Sequence, residues 1–231
     1  MESTEKEKDM ASSSISQERQ MVTKQVRVLL ICGVVAGPLY TVVGLIQAFT
    51  RPGFDITRHT LSLLENGDLG WLEISTYLLS GLLFVAGSVG MRQALRGSRG
   101  GTWGPILLGA VGAGLIGAGC FTADPALGFP PGTAATGISW HGLLHLLISS
   151  LSFLALVAGC VIFARRDLAQ RQFGWVTYTL VSGVIALVSF AGLASGQIWM
   201  TSPFVFAMLN AYLWCSLMAA KLLTERSKDS V

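Results

Sequence analysis

The sequence predicts an all-α fold: a polytopic membrane protein built as a six-transmembrane-helix bundle with a short amphipathic outer helix. Three observations predict it. Hydrophobic residues make up 52% of the 231-residue chain and charged residues only 13%, where ordinary soluble chains carry about 25% charge. Mean hydropathy is +0.59. Lys and Arg alternate between connections in the way that membrane topology demands. A chain with so little polar surface cannot cover itself in water, so a water-soluble enzyme is excluded.

Residues 1–24 are charged and rich in Ser, Glu and Lys, with nothing to bury, and read as a disordered cytoplasmic tail. This tail is too long and too acidic for the n-region of a secretory signal. The first span therefore stays in place as an anchor. A helix needs about 20 mostly apolar residues to cross the hydrocarbon core. Arg27–Phe49, Trp71–Gln93, Gly104–Phe121, Ile138–Phe163, Gly174–Ser195 and Pro203–Leu223 qualify. Residues 25–225 thus form the transmembrane domain, with outer loops near 50–70, 122–137 and 196–202, and 226–231 form a second cytoplasmic tail.

Five basic residues precede or open the first span, and three more fall in each of the second connection, the fourth connection and the carboxyl-terminal end. Arg51 and Arg58 are the two on the opposite side. Fourteen against two predicts a multi-pass protein of the cell (plasma) membrane with both termini cytoplasmic. The basic balance is then a topology signal, and no nucleic-acid partner is expected. Trp71, Trp140 and Trp199 fall at outer ends and Trp103 and Trp175 at inner ends, as an aromatic belt requires; only Trp214 lies well inside a span. Gly33 with Gly37, and Gly109, Ala113 and Gly117, have the small-residue spacing of closely packed helices. Cys32, Cys120, Cys160 and Cys215 are scattered over four spans, so no structural disulfide is expected.

No Asp, Glu, Lys or Arg lies mid-span; Glu73 and Arg92 sit near span ends, and Gln47 and Asn210 are uncharged. This argues against a proton- or sodium-coupled carrier, which needs an intramembrane carboxylate. Polar chemistry gathers on the outer side instead, where the topology places all three histidines, His59, His141 and His145, together with Asp124. His141 and His145 stand four apart and share a helix face, a spacing that lets two imidazoles bind one metal ion. Gly142 replaces the glutamate of an H-E-x-x-H site, so this is no metalloprotease helix. The same pair equally suits interfacial histidines that bond across helices, and the shared face excludes opposite axial positions on one haem iron. Asp124-Pro125 suits a turn and also stands where its carboxylate could orient an imidazole.

At about 100° per residue, residues 56–65 place Arg58, His59, Ser62 and Glu65 on one face. Ile56, Leu61, Leu63 and Leu64 fall on the other. The segment reads as a helix capped by Asp55 and ended by Asn66-Gly67. Either it lies in the membrane interface, or it folds over the bundle as a lid whose polar stripe lines a pocket.

Arg58-His59-x-x-Ser62-x-Leu64 followed by Gly70-Trp71, Asp124-Pro125 with Gly128 and Pro130, and His141 opening the fourth span together resemble an uncharacterised prokaryotic family of six-span proteins, domain of unknown function 998. The resemblance covers roughly residues 27–223, implies a membrane protein, and supplies no catalytic assignment. Three His, an Asp and a Ser near one membrane face are also similar to the inventory of the transmembrane hydrolases that include alkaline ceramidases. Those have seven spans and a late HxxxH, so only the inventory is shared.

Two functions follow. The favoured expectation is a non-enzymatic binding, sensor or assembly module whose outward polar pocket takes a small-molecule or lipid ligand and whose surroundings are membrane lipids. The alternative is a zinc-dependent hydrolase acting on a lipid or amide from the outer leaflet. There His59, His141 and His145 would hold zinc and a water. Asp124 would act as general base, and Arg58 or Ser62 would hold an anionic intermediate.

Overall fold

The computed structural model describes residues 23–134 and 137–226 in full, with helical backbone running on to residues 2 and 229. The expected amino-terminal tail (1–24, apart from Thr23 and Lys24) and the carboxyl-terminal tail (226–231, apart from Arg226) lie outside the described residues. Each expected span is a helix: α1 (Glu2–Thr50), α2 (Gly70–Ala94), α3 (Trp103–Cys120), α4 (Trp140–Ala169), α5 (Phe173–Ala194) and α6 (Thr201–Asp229). All six carry a stretch long and apolar enough to cross a membrane. The shortest, α3 at 18 residues, reaches about 27 Å at 1.5 Å per residue, just enough for the hydrocarbon core.

The helices form a ring in chain order: each packs on the next, and α6 returns to pack on α1. Lipid supplies no hydrophobic drive between helices, so close backbone approach and hydrogen bonds hold the ring. Gly33 of α1 and Gly87 of α2 meet with no room for a Cβ on Gly87. At Gly37 a Cβ would collide with the Tyr212 carbonyl of α6. Its N–H donates to Ser216 Oγ at 2.8 Å, and that hydroxyl donates to the Gly33 carbonyl at 2.8 Å. The outward face of the ring is apolar, as with Val28, Ile31, Val35, Val42 and Ile46 along α1. Trp71, Trp103, Trp140 and Trp199 are exposed beside helix ends, while Trp214 is fully buried and donates to Thr179 Oγ1 at 2.9 Å. This is a multi-pass membrane protein.

Two expectations about local structure change. The small-residue series of α3 is not one packing stripe: Gly109 faces Ser88 of α2, Gly117 faces Ile148 of α4, and Ala113 is exposed. Buried Gly112 and Gly114 make the closer approaches. The amphipathic helix is also shorter than residues 56–65. Asp55 Oδ1 accepts from the N–H and hydroxyl of Thr57, and the Asp55 carbonyl accepts from the N–H groups of Arg58 and His59. These bonds close a turn that ends at Thr60, whose backbone is extended, and helix resumes only as a 3-10 segment, Leu61–Glu65. Leu61, Leu63 and Leu64 are buried beneath it.

That segment and the connection over 121–139 interlock across one end of the ring, here called the loop end. Arg51 Nη2 donates to the Asn66 carbonyl at 2.6 Å with its guanidinium 5.6 Å from the Phe129 ring centre. Asn66 Nδ2 donates to the Ala123 carbonyl at 3.0 Å, and Phe54 stands edge-on to Phe129. At the opposite end a cluster of buried charges joins α4 to α6. Asp167 Oδ1 accepts from Arg166 and Lys221, Arg166 Nη2 donates to Glu225 at 2.9 Å, and Lys221 Nζ stands 5.0 Å from the Trp175 ring centre.

Candidate functional site

Inside the ring, opening at the loop end, lies a cavity of about 400 Å³, within the roughly 300–1,000 Å³ typical of small-molecule sites. Leu115, Phe153, Leu156, Val205 and Met208 supply its apolar wall, and Arg58, Ser62, Asp124 and His145 line the polar part nearest the loops. The Phe153 and Phe190 rings stack at 4.3 Å between α4 and α5 and form part of the same lining. Tyr40, Tyr77 and Tyr212 line it from α1, α2 and α6.

Asp124, His141 and His145 come together because α4 starts directly against the connection that precedes it. Ser139 is extended, and its hydroxyl accepts the Gly142 N–H at 3.1 Å as an N-cap. Asp124 in turn accepts from the Ser139 N–H at 2.8 Å and hydroxyl at 2.6 Å. These bonds from Ser139 hold the Asp124 carboxyl below the usual range, so it stays ionised. A Cβ at position 142 would run into that carboxylate. Glycine stands there, where the metalloprotease motif has glutamate, because Asp124 occupies the space.

His141 Nδ1 pairs with the Thr122 carbonyl at 3.0 Å and lies 3.8 Å from Asp124 Oδ1. His145 is buried; its Nδ1 pairs with the carbonyls of Phe121 at 2.9 Å and Ala118 at 3.2 Å, which satisfies carbonyls left without an intrahelical partner at the end of α3. Nδ1 must then carry the ring proton, leaving Nε2 as an acceptor. The same Nδ1 lies 3.4 Å from Glu65 Oε2, a partner that the sequence gives no direct means of pairing with His145. Glu65 Oε2 also accepts the Ala123 N–H at 2.7 Å, while Oε1 is buried without a hydrogen-bond partner among the described residues. Burial pushes the Glu65 carboxyl up to about 9, with a further contribution from nearby Glu73.

His59 stands apart. Its Nδ1 accepts the Asp55 N–H at 2.9 Å, and its Nε2 pairs with the Leu127 carbonyl at 3.2 Å, while its ring packs against Phe54 and Phe129. Both ring nitrogens are committed to backbone, so His59 ties the two loops together. No group of three or more His, Cys, Asp or Glu side chains among the described residues is placed to hold a metal ion. The donor set considered for zinc, His59 with His141 and His145, thus does not converge here. Ser62 Oγ lies 3.0 Å from Thr60 Oγ1, and Arg58 is exposed at the mouth.

The tyrosine wall and Glu73 were not singled out as site residues by sequence reasoning. Glu73, fully buried, accepts from Gln47 Nε2 at 2.6 Å. The signal was present: tyrosines well inside spans place hydroxyls where lipid cannot satisfy them. The DUF998 family model, described as a protein of unknown function, matches residues 34–223, from α1 to α6. The chain belongs to the DUF998 family. No curated protein and no solved structure matches it.

Proposed function

We propose that this DUF998 protein is a membrane-embedded binding module whose cavity holds a small amphiphilic molecule. The cavity itself carries this reading: an apolar space within the ring, with Arg58, Ser62, Asp124 and His145 grouped towards one end. Such a division suits a ligand with an apolar body and a polar head. The site supplies binding groups and one imidazole acceptor; the Ser139 hydroxyl, which donates to Asp124 at 2.6 Å, is spent capping α4 and is not among the residues that line the cavity. Binding without chemistry therefore accounts for more of the geometry than hydrolysis does. Ser149, half-buried on the cavity wall, is the place to test it. In native mass spectrometry from gentle detergent, the full chain should carry one amphiphile-sized adduct. Ser149→Trp, which fills the space, should lose at least nine-tenths of that adduct without a lower melting temperature. An adduct undiminished by Ser149→Trp would place the ligand elsewhere.

The loop end faces outward in this reading, with both termini in the cytoplasm of a cell whose plasma membrane holds the protein. Fourteen of the sixteen Lys and Arg residues support it. Reporter fusions at residue 98 and at the carboxyl terminus should be cytoplasmic, and one at residue 130 external. An external carboxyl terminus would reverse the cavity to face the cytoplasm.

A further inference from the structure

Resting on that reading, the wall chemistry narrows the ligand. Tyr40 stands edge-on to Tyr77 at 5.5 Å and to Tyr212 at 4.8 Å, and all three rings line the cavity. Tyr77 is edge-on to His145, whose ring also lines it. Since His145 Nδ1 is turned to the carbonyls of Phe121 and Ala118, Nε2 is the nitrogen left to a ligand, and it accepts. Phenol hydroxyls accept as well as donate. Behind this wall, Glu65 Oε1 and Glu73 Oε1 are buried with no hydrogen-bond partner among the described residues. Arg51, the cation on that side, donates to the carbonyls of Leu64 at 3.3 Å and Asn66 at 2.6 Å and to Gln47 Oε1 at 3.5 Å, and stands near enough to Glu73 to interact with its charge. Asp124, held ionised by Ser139, adds negative charge near the mouth, where Arg58 is the lining cation.

The free imidazole acceptor, the aromatic rings and the carboxyl groups behind them favour one kind of head beside Tyr77 and His145, although Arg58 and hydroxyls such as Ser62 and Ser149 also line the cavity as donors. Aromatic faces attract a cation within about 6 Å of the ring centre. A bound cation would also favour ionisation of Glu65, whose proton burial otherwise retains at neutral pH, whereas an anionic head would meet like charge at Asp124. We propose that the ligand is a cationic amphiphile: a single-chain molecule with a protonated amine. Its head sits against Tyr40, Tyr77 and His145, and its chain lies along Leu115, Phe153 and Met208.

The experiment compares dodecylamine, dodecanol and dodecyl phosphate at neutral pH, where an alkylamine with a pKa of about 10 is charged. Each is radiolabelled and bound to the full chain in phosphatidylcholine nanodiscs, with empty nanodiscs subtracted. Dodecylamine should bind saturably and at least tenfold more tightly than dodecanol, with dodecyl phosphate the weakest. His145→Leu and Tyr77→Leu should each cut the preference for amine over alcohol, read as the ratio of the two affinities in the same folded variant, below threefold. If one variant fails to fold, the other decides. Dodecanol or dodecyl phosphate binding as tightly as the amine, or an amine preference unchanged in a folded variant, would overturn the cationic ligand and leave the cavity reading standing. Saturable binding of none of the three would overturn both.

Discussion

Replacing Asp167 with Leu should lower the melting temperature of the detergent-solubilised protein by about 10 °C. Asp167 is fully buried and holds two cations at once, Arg166 and Lys221, at the meeting of α4 and α6. Without it, both cations depend on Glu225, which is bonded to Arg166 at 2.9 Å and lies 3.9 Å from Lys221. Breaking a buried pair in this way costs about 3–5 kcal/mol, chiefly because a buried charge is left uncompensated. A loss of that size corresponds to about 10 °C for a chain of this length. The double change Asp167→Leu with Lys221→Met leaves Arg166 matched to Glu225 and should recover at least half of the loss. A double variant as unstable as the single one would mean that packing at position 167, rather than charge balance, sets the effect.

Glu65→Gln should make the protein more stable at pH 8 and leave it nearly unchanged at pH 5. The Glu65 carboxyl is pushed from its ordinary 4.5 to about 9 by burial. Between those values the folded protein keeps a proton that the unfolded chain gives up. Stability is therefore fully present below about pH 4.5 and declines as pH rises towards 9, by up to ~1.4 kcal/mol per pH unit. Gln cannot titrate, yet its amide oxygen can still accept the Ala123 N–H that Glu65 Oε2 accepts at 2.7 Å. The variant should melt about 10 °C above the unaltered protein at pH 8 and within about 2 °C of it at pH 5. A variant less stable at both pH values would show instead that Glu65 is ionised and paired with a protonated His145.

The six spans were legible because lipid demands long apolar runs; the partners of the small residues along α3 and the shape of the segment over 56–65 were not. In the segment over 56–65 polar and apolar residues separate cleanly at the α-helical angle, which conceals the turn. Asp55 spends its side chain on Thr57, so the chain turns at His59 and continues as 3-10 helix. Asp124 near His141 and His145 was legible from connectivity, since a connection that ends at α4 must lie beside the start of α4. His59 was not, because its partners, the Asp55 N–H and the Leu127 carbonyl, are backbone atoms set by the docking of two loops. Glu65 sits on the polar side of the same segment, yet its contact with His145 exists only once that segment covers the ring. The cavity was anticipated as a polar pocket, whereas most of its wall is apolar, because it penetrates between the helices below the loops.

The most direct test of the ligand cavity is an electron cryomicroscopy map of the full chain in a lipid nanodisc, bound to a fiducial antibody fragment at the end opposite the loops. One elongated, non-protein density is expected inside the ring, running past Leu115, Phe153 and Met208 with its wider end beside Tyr77 and His145. A ring closed by those side chains, with no space between α3, α4 and α6, would contradict it.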